Sequence, residues 1–282
     1  MWDGIAWTLW TRRAGRPSLA PHPAPAAAWR LSTSRAALTG TDGRAGACSE
    51  NWLIPVVAVA LYLLMLFALI PFMQDRPPVQ KSLINPVVAA WNLGLSLFSF
   101  TGLYFTAPHL YSFLTEHGYR ATVCYSAQWY GHGWCGKMMA FFIYSKLFEL
   151  FDTLWLILKK RPVIFLHSYH HITVLLYCWH SYAARISNGL WFGTMNYAVH
   201  SLMYFYYFLM TFESSRRWAK PFNWVLTTLQ TSQMAVGIGV TVSAMQYGED
   251  GSDAPCNVLR TNSFLGLVRP SPLCSLLAGL RF

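Results

Sequence analysis

Apolar residues in this chain gather into six long runs instead of the narrow stripes of a soluble amphipathic helix. The runs lie at about 52–73, 86–107, 137–158, 163–182, 189–212 and 221–244, each near the roughly 20 residues that a helix needs to cross a bilayer. The first run, Trp52 to Met73, contains no charge, whereas the third contains Lys146, Glu149 and Asp152. The pattern predicts an all-α fold, a polytopic transmembrane helical bundle with six spans and no repeat at a fixed period. Beyond Ala244 the apolar residues are interrupted by Gly248, Gly251, Pro255, Pro270 and Pro272, so no seventh span is predicted there.

Composition agrees with the pattern. The chain is 54% hydrophobic and 11% charged, with a mean hydropathy of +0.31, whereas soluble domains carry roughly 25% charged residues. The net charge of +10 does not point to nucleic acid, because the cations sit at span ends and no nucleic-acid motif accompanies them. Arg76, Lys81, Lys159, Lys160, Arg161, Arg216, Arg217 and Lys220 fall in the turns joining spans 1–2, 3–4 and 5–6. The opposite turns carry Arg120, Lys137 and Arg185. The positive-inside rule then puts the first set in the cytosol and the N-terminus in the lumen.

The two ends differ from the middle. Residues 1–50 are rich in Ala, Arg, Pro and Ser and poor in acids, the composition of a disordered, transit-like extension or of translated sequence ahead of a later start. Residues 51–245 form the transmembrane domain, and residues 246–282 read as an aberrant, poorly ordered tail. Six cysteines occur without a CxxC pair. Cys124 and Cys256 both face the lumen on this topology, where they either form a disulfide or remain as thiols.

Polar chemistry is concentrated in four places. His167, His170 and His171 occupy i, i+3 and i+4 and share one helix face. Intramembrane ionisable groups are costly, so such a face reads as a functional site. Lys146, Glu149 and Asp152 form a second stripe, either a structural ion pair or part of a site. Asn196, His200, Met203, Tyr204 and Tyr207 share a face of the fifth span, with His200 about 20 Å from its end. Gln230 and Gln233 lie on the sixth, where interhelical hydrogen bonding is the simpler use. At 1.5 Å per residue, all four stripes fall in the cytosolic half of the membrane, which predicts one shared polar chamber. Three imidazoles can bind iron or zinc, or act as nucleophile and acid–base. The remaining histidines (His22, His109, His117, His132, His180, His200) form no second HxxHH box, with His109, His117 and His132 expected in a lumenal loop. A di-iron site is therefore disfavoured, and no metal is predicted.

The ordered motifs KLFELFDT (146–153), HSYHH (167–171), NYAVHSLMYFYY (196–207) and TTLQTSQ (227–233) resemble those of the very-long-chain fatty acid elongases, the membrane 3-ketoacyl-CoA synthases. FLHSYHHITVLLYCW is most similar to members acting on saturated and monounsaturated chains. The resemblance implies seven helices, six of them around an acyl tunnel, and condensation of acyl-CoA with malonyl-CoA without a cofactor. It implies that His170 is acylated, that His200 is its partner, and that His167 and His171 orient and polarise. Lys146, Glu149, Asp152, Asn196, Tyr204, Tyr207, Gln230 and Gln233 would bind substrate or support these histidines. It further implies an endoplasmic reticulum membrane location and lipid surroundings. Partnership with the reductases and dehydratase of the elongation cycle follows, and homo-oligomerisation is a further expectation. Plastid or mitochondrial targeting is the alternative offered by residues 1–50. The absent seventh span leaves a non-catalytic truncated relative as the alternative function, ahead of a di-iron desaturase or hydroxylase.

Overall fold

Twenty-two residues, Leu53–Gln74, form helix α1, and its large apolar side chains point outward: Leu61, Leu64 and Phe67 are exposed, Phe67 by 77%. In water such a surface would be untenable; in hydrocarbon it needs no cover. The computed structural model describes residues 51–249, 256 and 258–268, and among them every regular element is helical. The extension expected over residues 1–50 lies outside the described residues.

The chain continues through α2 (Lys81–Cys124), a 3-10 turn (Ala127–Trp129), α3 (Gly133–Glu149), α4 (Phe151–Leu158), α5 (Phe165–Ala183) and α6 (Gly189–Thr211). Then come α7 (Glu213–Ala219), a second 3-10 turn (Lys220–Phe222), α8 (Asn223–Glu249) and α9 (Arg260–Val268). Helices α1 and α2 are long and apolar enough, each by itself, to cross a bilayer. In the other long helices, polar stripes lower the hydropathy without shortening the helix.

Two expectations about element ends require correction. Helix α2 runs 44 residues, well past residue 107, and breaks only at Gly118, whose φ of 78° suits glycine. His109 and His117, expected in a loop, therefore lie on α2. Hydropathy marks where hydrocarbon ends, and a helix can continue beyond that boundary. The third span is also divided, at Leu150, so that Lys146 and Glu149 lie on α3 and Asp152 on α4.

Helices α2 and α6 make the most extensive pairing. Along α2, Ala89, Asn92, Ser96, Ser99, Gly102 and Thr106 form a buried stripe of small and polar residues, which lets two backbones approach closely. Ser96 Oγ donates to the Ser201 carbonyl at 2.8 Å. A Cβ at Gly102 would lie 2.3 Å from the Tyr197 ring, and that Tyr donates to the Met138 carbonyl at 2.8 Å. Met138, Phe142, Ile143, Trp179 and Tyr197 thereby join α3, α5 and α6 in one core.

The bundle has two chemically different ends. At the basic end, α4 closes in a Schellman motif: Lys160 N–H bonds to Ile157 O and Arg161 N–H to Leu156 O, with Lys160 at φ 52°. Lys160 Nζ then donates to the Gln74 carbonyl at 2.9 Å, tying this turn to the end of α1. Partial burial, with Arg161 and Arg216 nearby, holds the Lys159 ammonium below its ordinary pKa. At the opposite end, Cys124 and Cys256 form a disulfide spanning 132 residues. Helix α9 packs there on α5 and α8, with Asn262 Oδ1 2.7 Å from His180 Nδ1 and accepting from Ser181 Oγ at 3.0 Å. Of the stretch 246–282, the residues beyond Val268 lie outside the described residues.

Candidate active site

The polar residues of the α3–α4 junction, Lys146, Glu149, Asp152 and Thr153, hold polar side chains of four other helices. Lys146 is buried, yet its three ammonium protons have partners at hand. Nζ donates to Glu149 Oε1 at 2.6 Å and to Asn196 Oδ1 at 2.9 Å, and lies 4.4 Å from the Phe142 ring centroid. An unpaired ammonium in this environment would be prohibitively costly; paired and hydrogen-bonded, it is tolerable. Glu149 Oε1 also accepts from Ser145 Oγ at 3.3 Å and lies 3.9 Å from His200 Nδ1. One carboxylate oxygen thus gathers a lysine, a serine and a histidine from α3 and α6.

Asp152, one turn on, is clamped on both oxygens. Trp91 Nε1 of α2 donates to Oδ1 at 2.7 Å, and Tyr204 Oη of α6 donates to Oδ2 at 2.7 Å. Tyr204 in turn packs its ring against His200, with centroids 5.5 Å apart. Asp152 therefore fixes the helix face that carries His200.

The histidine box meets the same junction from α5. His167 Nε2 lies 3.0 Å from Thr153 Oγ1. The His167 and His171 ring centroids are 4.5 Å apart, and those of His170 and His171 are 5.8 Å apart. All three rings are half-buried, as expected of a site that both excludes bulk water and admits a ligand.

The structure thus joins Lys146, Glu149, Asn196 and His200 in one network, Asp152 with Tyr204 in a second, and the box to the same α3–α4 junction through Thr153. Other expected residues stand outside these networks. Gln230 Nε2 donates to Met203 Sδ at 3.3 Å, and Gln233 is half-buried one turn further along α8. Tyr207 is 43% exposed and contacts the Tyr204 and Tyr206 rings. Sequence reasoning missed Trp91 and Tyr62, whose hydroxyl lies 2.8 Å from Thr153 Oγ1. In Tyr62 the available signal was a single hydroxyl inside the otherwise apolar stretch from Leu53 to Met73. Among the described residues, no three His, Cys, Asp or Glu side chains are grouped to hold a metal ion.

Comparison with known proteins places this arrangement. The profile described as ELO: GNS1/SUR4 family matches residues 47–278. The chain is 39% identical over 218 residues to very long chain fatty acid elongase 4 of Trypanosoma cruzi (strain CL Brener), covering 76% of this chain and 74% of that protein. It is 38% identical over 220 residues to very long chain fatty acid elongase 6 of Drosophila melanogaster, covering 77% and 67%. Against very long chain fatty acid elongase 6 of Gallus gallus the identity is 39% over 204 residues, covering 71% and 74%. With three of the four ordered motifs converging on one junction and a family match over most of its length, the chain belongs to the GNS1/SUR4 family, the fatty acid elongases.

Proposed function

We propose that this elongase is a very-long-chain 3-oxoacyl-CoA synthase, an acyltransferase that extends a long-chain acyl-CoA by two carbons from malonyl-CoA. His170 Nε2 or Nδ1 attacks the thioester carbonyl, the C–S bond breaks, and CoA leaves as the thiol with a proton from solvent, the acylated ring keeping the proton on its other nitrogen. Malonyl-CoA then loses CO2, and its carbanion attacks the acyl-imidazole carbonyl. The C–N bond breaks, which returns neutral His170 and releases 3-oxoacyl-CoA. Imidazole suits this sequence because it is nucleophilic when neutral and a good leaving group once acylated. His200 faces the reacting carbonyl from α6, while His167 and His171 orient the box. Lys146, Asn196 and Asp152 supply the positive and hydrogen-bonding environment. No cofactor is required.

The observation that carries this reading is the α3–α4 junction, which reaches both the box, through Thr153, and His200, through Glu149. The proposed setting is the endoplasmic reticulum membrane with the N-terminus lumenal. The disulfide at the end away from the basic turns supports that orientation, since disulfides persist in oxidising compartments. The basic turns would then face the cytosol, where both CoA substrates are found. The phrasing around the box favours saturated or monounsaturated chains. The downstream reductases and dehydratase are the natural partners, because 3-oxoacyl-CoA needs reduction and dehydration before another round.

Microsomes from an elongase-deficient host expressing this chain, supplied with labelled malonyl-CoA and a panel of acyl-CoAs, test the proposal. Label should enter longer acyl products, and His170→Ala should abolish it. Full incorporation by His170→Ala would overturn the assignment, and iron-dependent, oxygen-dependent turnover would replace it with oxidative chemistry.

A further inference from the structure

Between Leu53 and Met73, α1 contains a single side-chain polar group, the hydroxyl of Tyr62. The helix turns that residue inward: Tyr62 is 3% exposed, while its neighbours Leu61 and Leu64 face outward. Tyr62 clusters with Leu150 and Leu175, and among the hydrophobic residues packed on that cluster only Met65, through its weakly accepting thioether, has a side-chain hydrogen-bonding atom. Its oxygen lies 2.8 Å from Thr153 Oγ1, and the same Thr153 oxygen lies 3.0 Å from His167 Nε2.

Thr153 behaves unlike most of the helical threonines. Thr106, Thr173, Thr211 and Thr241 each donate to the carbonyl four residues earlier, the usual local partner for such a hydroxyl. Thr153 is fully buried and directs its hydroxyl sideways, between Tyr62 and His167. A hydroxyl with two partners on these lines accepts from one and donates to the other.

The direction follows from the environment of Tyr62. If the phenol accepted from Thr153, its own proton would point into apolar side chains, and a buried donor left unmade carries the full desolvation penalty. If Tyr62 donates to Thr153 and Thr153 donates to His167 Nε2, both hydroxyl protons have an acceptor. Neutral His167 then keeps its own proton on Nδ1, because an Nε2 that accepts cannot also donate.

We infer that Tyr62 and Thr153 form a one-way hydrogen-bond relay that holds His167 in the Nδ1–H tautomer, making Tyr62 a positioning residue for the histidine box. The inference rests on the condensing role given to the box, but the tautomer itself is independent of it. His167 touches His171, and His171 touches His170, so a fixed first ring limits the orientations open to the other two. Outer hydrogen-bond partners that set tautomer and ring angle commonly change activity by about 10- to 100-fold when removed.

The test uses the full chain in lipid nanodiscs with 15N-labelled histidine, and His167→Gln assigns the His167 signals. Wild type should show a protonated Nδ1 and an imine-type Nε2. Thr153→Val should move the proton to Nε2 or mix the tautomers, whereas Thr153→Ser should retain the wild-type spectrum. In condensation assays, Tyr62→Phe should lower kcat about tenfold with KM within about twofold, and Thr153→Ser should keep wild-type turnover. A protonated Nε2 in wild type, or an unchanged spectrum in Thr153→Val, would overturn the relay. Wild-type kcat in both Tyr62→Phe and Thr153→Val would overturn the positioning role. Expected spectra in a chain that condenses nothing would leave the relay standing and remove the proposed reaction instead.

Discussion

Histidines at the two ends of this bundle are put to opposite uses. At the disulfide end, His109 stacks on Trp129 with centroids 5.6 Å apart and has Nε2 2.9 Å from the Trp129 carbonyl. His180 has Nδ1 2.7 Å from Asn262 Oδ1. These rings are spent on neutral, fixed partners that hold loops and helices together. At the basic end, His167, His170 and His171 touch one another, and His200 lies beside a carboxylate and a tyrosine. Proton transfer or acylation needs neighbours that can change charge or orientation with the ring, and only the second group has them. The same residue type in the same membrane thus reads as structure or chemistry according to its partners.

Replacing one histidine at each end is the sharpest way to test the contrast. His200→Ala should lower turnover about a thousandfold with folded yield retained. His109→Ala should leave turnover within about twofold while lowering thermal stability, as followed by fluorescence size exclusion after heating. Equal catalytic losses at both positions would erase the distinction.

The Lys146–Glu149 pair provides the next largest effect. Glu149→Gln leaves a buried ammonium underpaired and should cost about 3–5 kcal/mol of stability, with turnover falling as His200 loses its carboxylate neighbour. Combining it with Lys146→Met should recover most of that stability without recovering activity. Unchanged turnover in Glu149→Gln would remove this carboxylate from the functional network. Opening the disulfide with Cys256→Ser should destabilise the opposite end by about 3 kcal/mol, read as a lower melting temperature, with turnover preserved below it.

Smaller effects probe how the scaffold supports the α3–α4 junction. Gly102→Ala should cost about 2 kcal/mol, because the Tyr197 ring is pinned by Met138 O and cannot yield. Trp91→Phe keeps an aromatic side chain but removes one donor to Asp152, and should lower turnover by about three- to tenfold. A wild-type rate in that variant would show that Tyr204 alone holds Asp152.

Much of this was legible in the residues. Periodicity along one helix reveals which side chains share a face, and that sufficed for the box, for the Lys146–Asp152 stripe and for His200. The partners across helices were harder to see. Trp91 and Asp152 are 61 positions apart and Tyr62 and Thr153 are 91 apart, and no local period encodes such pairings. An aromatic residue in an apolar run reads by default as lipid-facing, which is true of Phe67 and untrue of Tyr62. The ends of α2 were hidden for another reason: beyond the hydrocarbon, aromatic stacking of Phe113 on Trp129 at 4.0 Å supports the helix where hydropathy no longer does.

The link between Cys124 and Cys256 closes a covalent ring containing every motif residue from Lys146 to Gln233. A protease that cuts the exposed turn after Lys160 would open that ring without releasing either piece. The nicked molecule would migrate as one species until a reductant reached it, then separate into two. The bond therefore keeps the motif-bearing portion of the chain covalently joined after a single scission, a form of durability that folding energy alone does not provide.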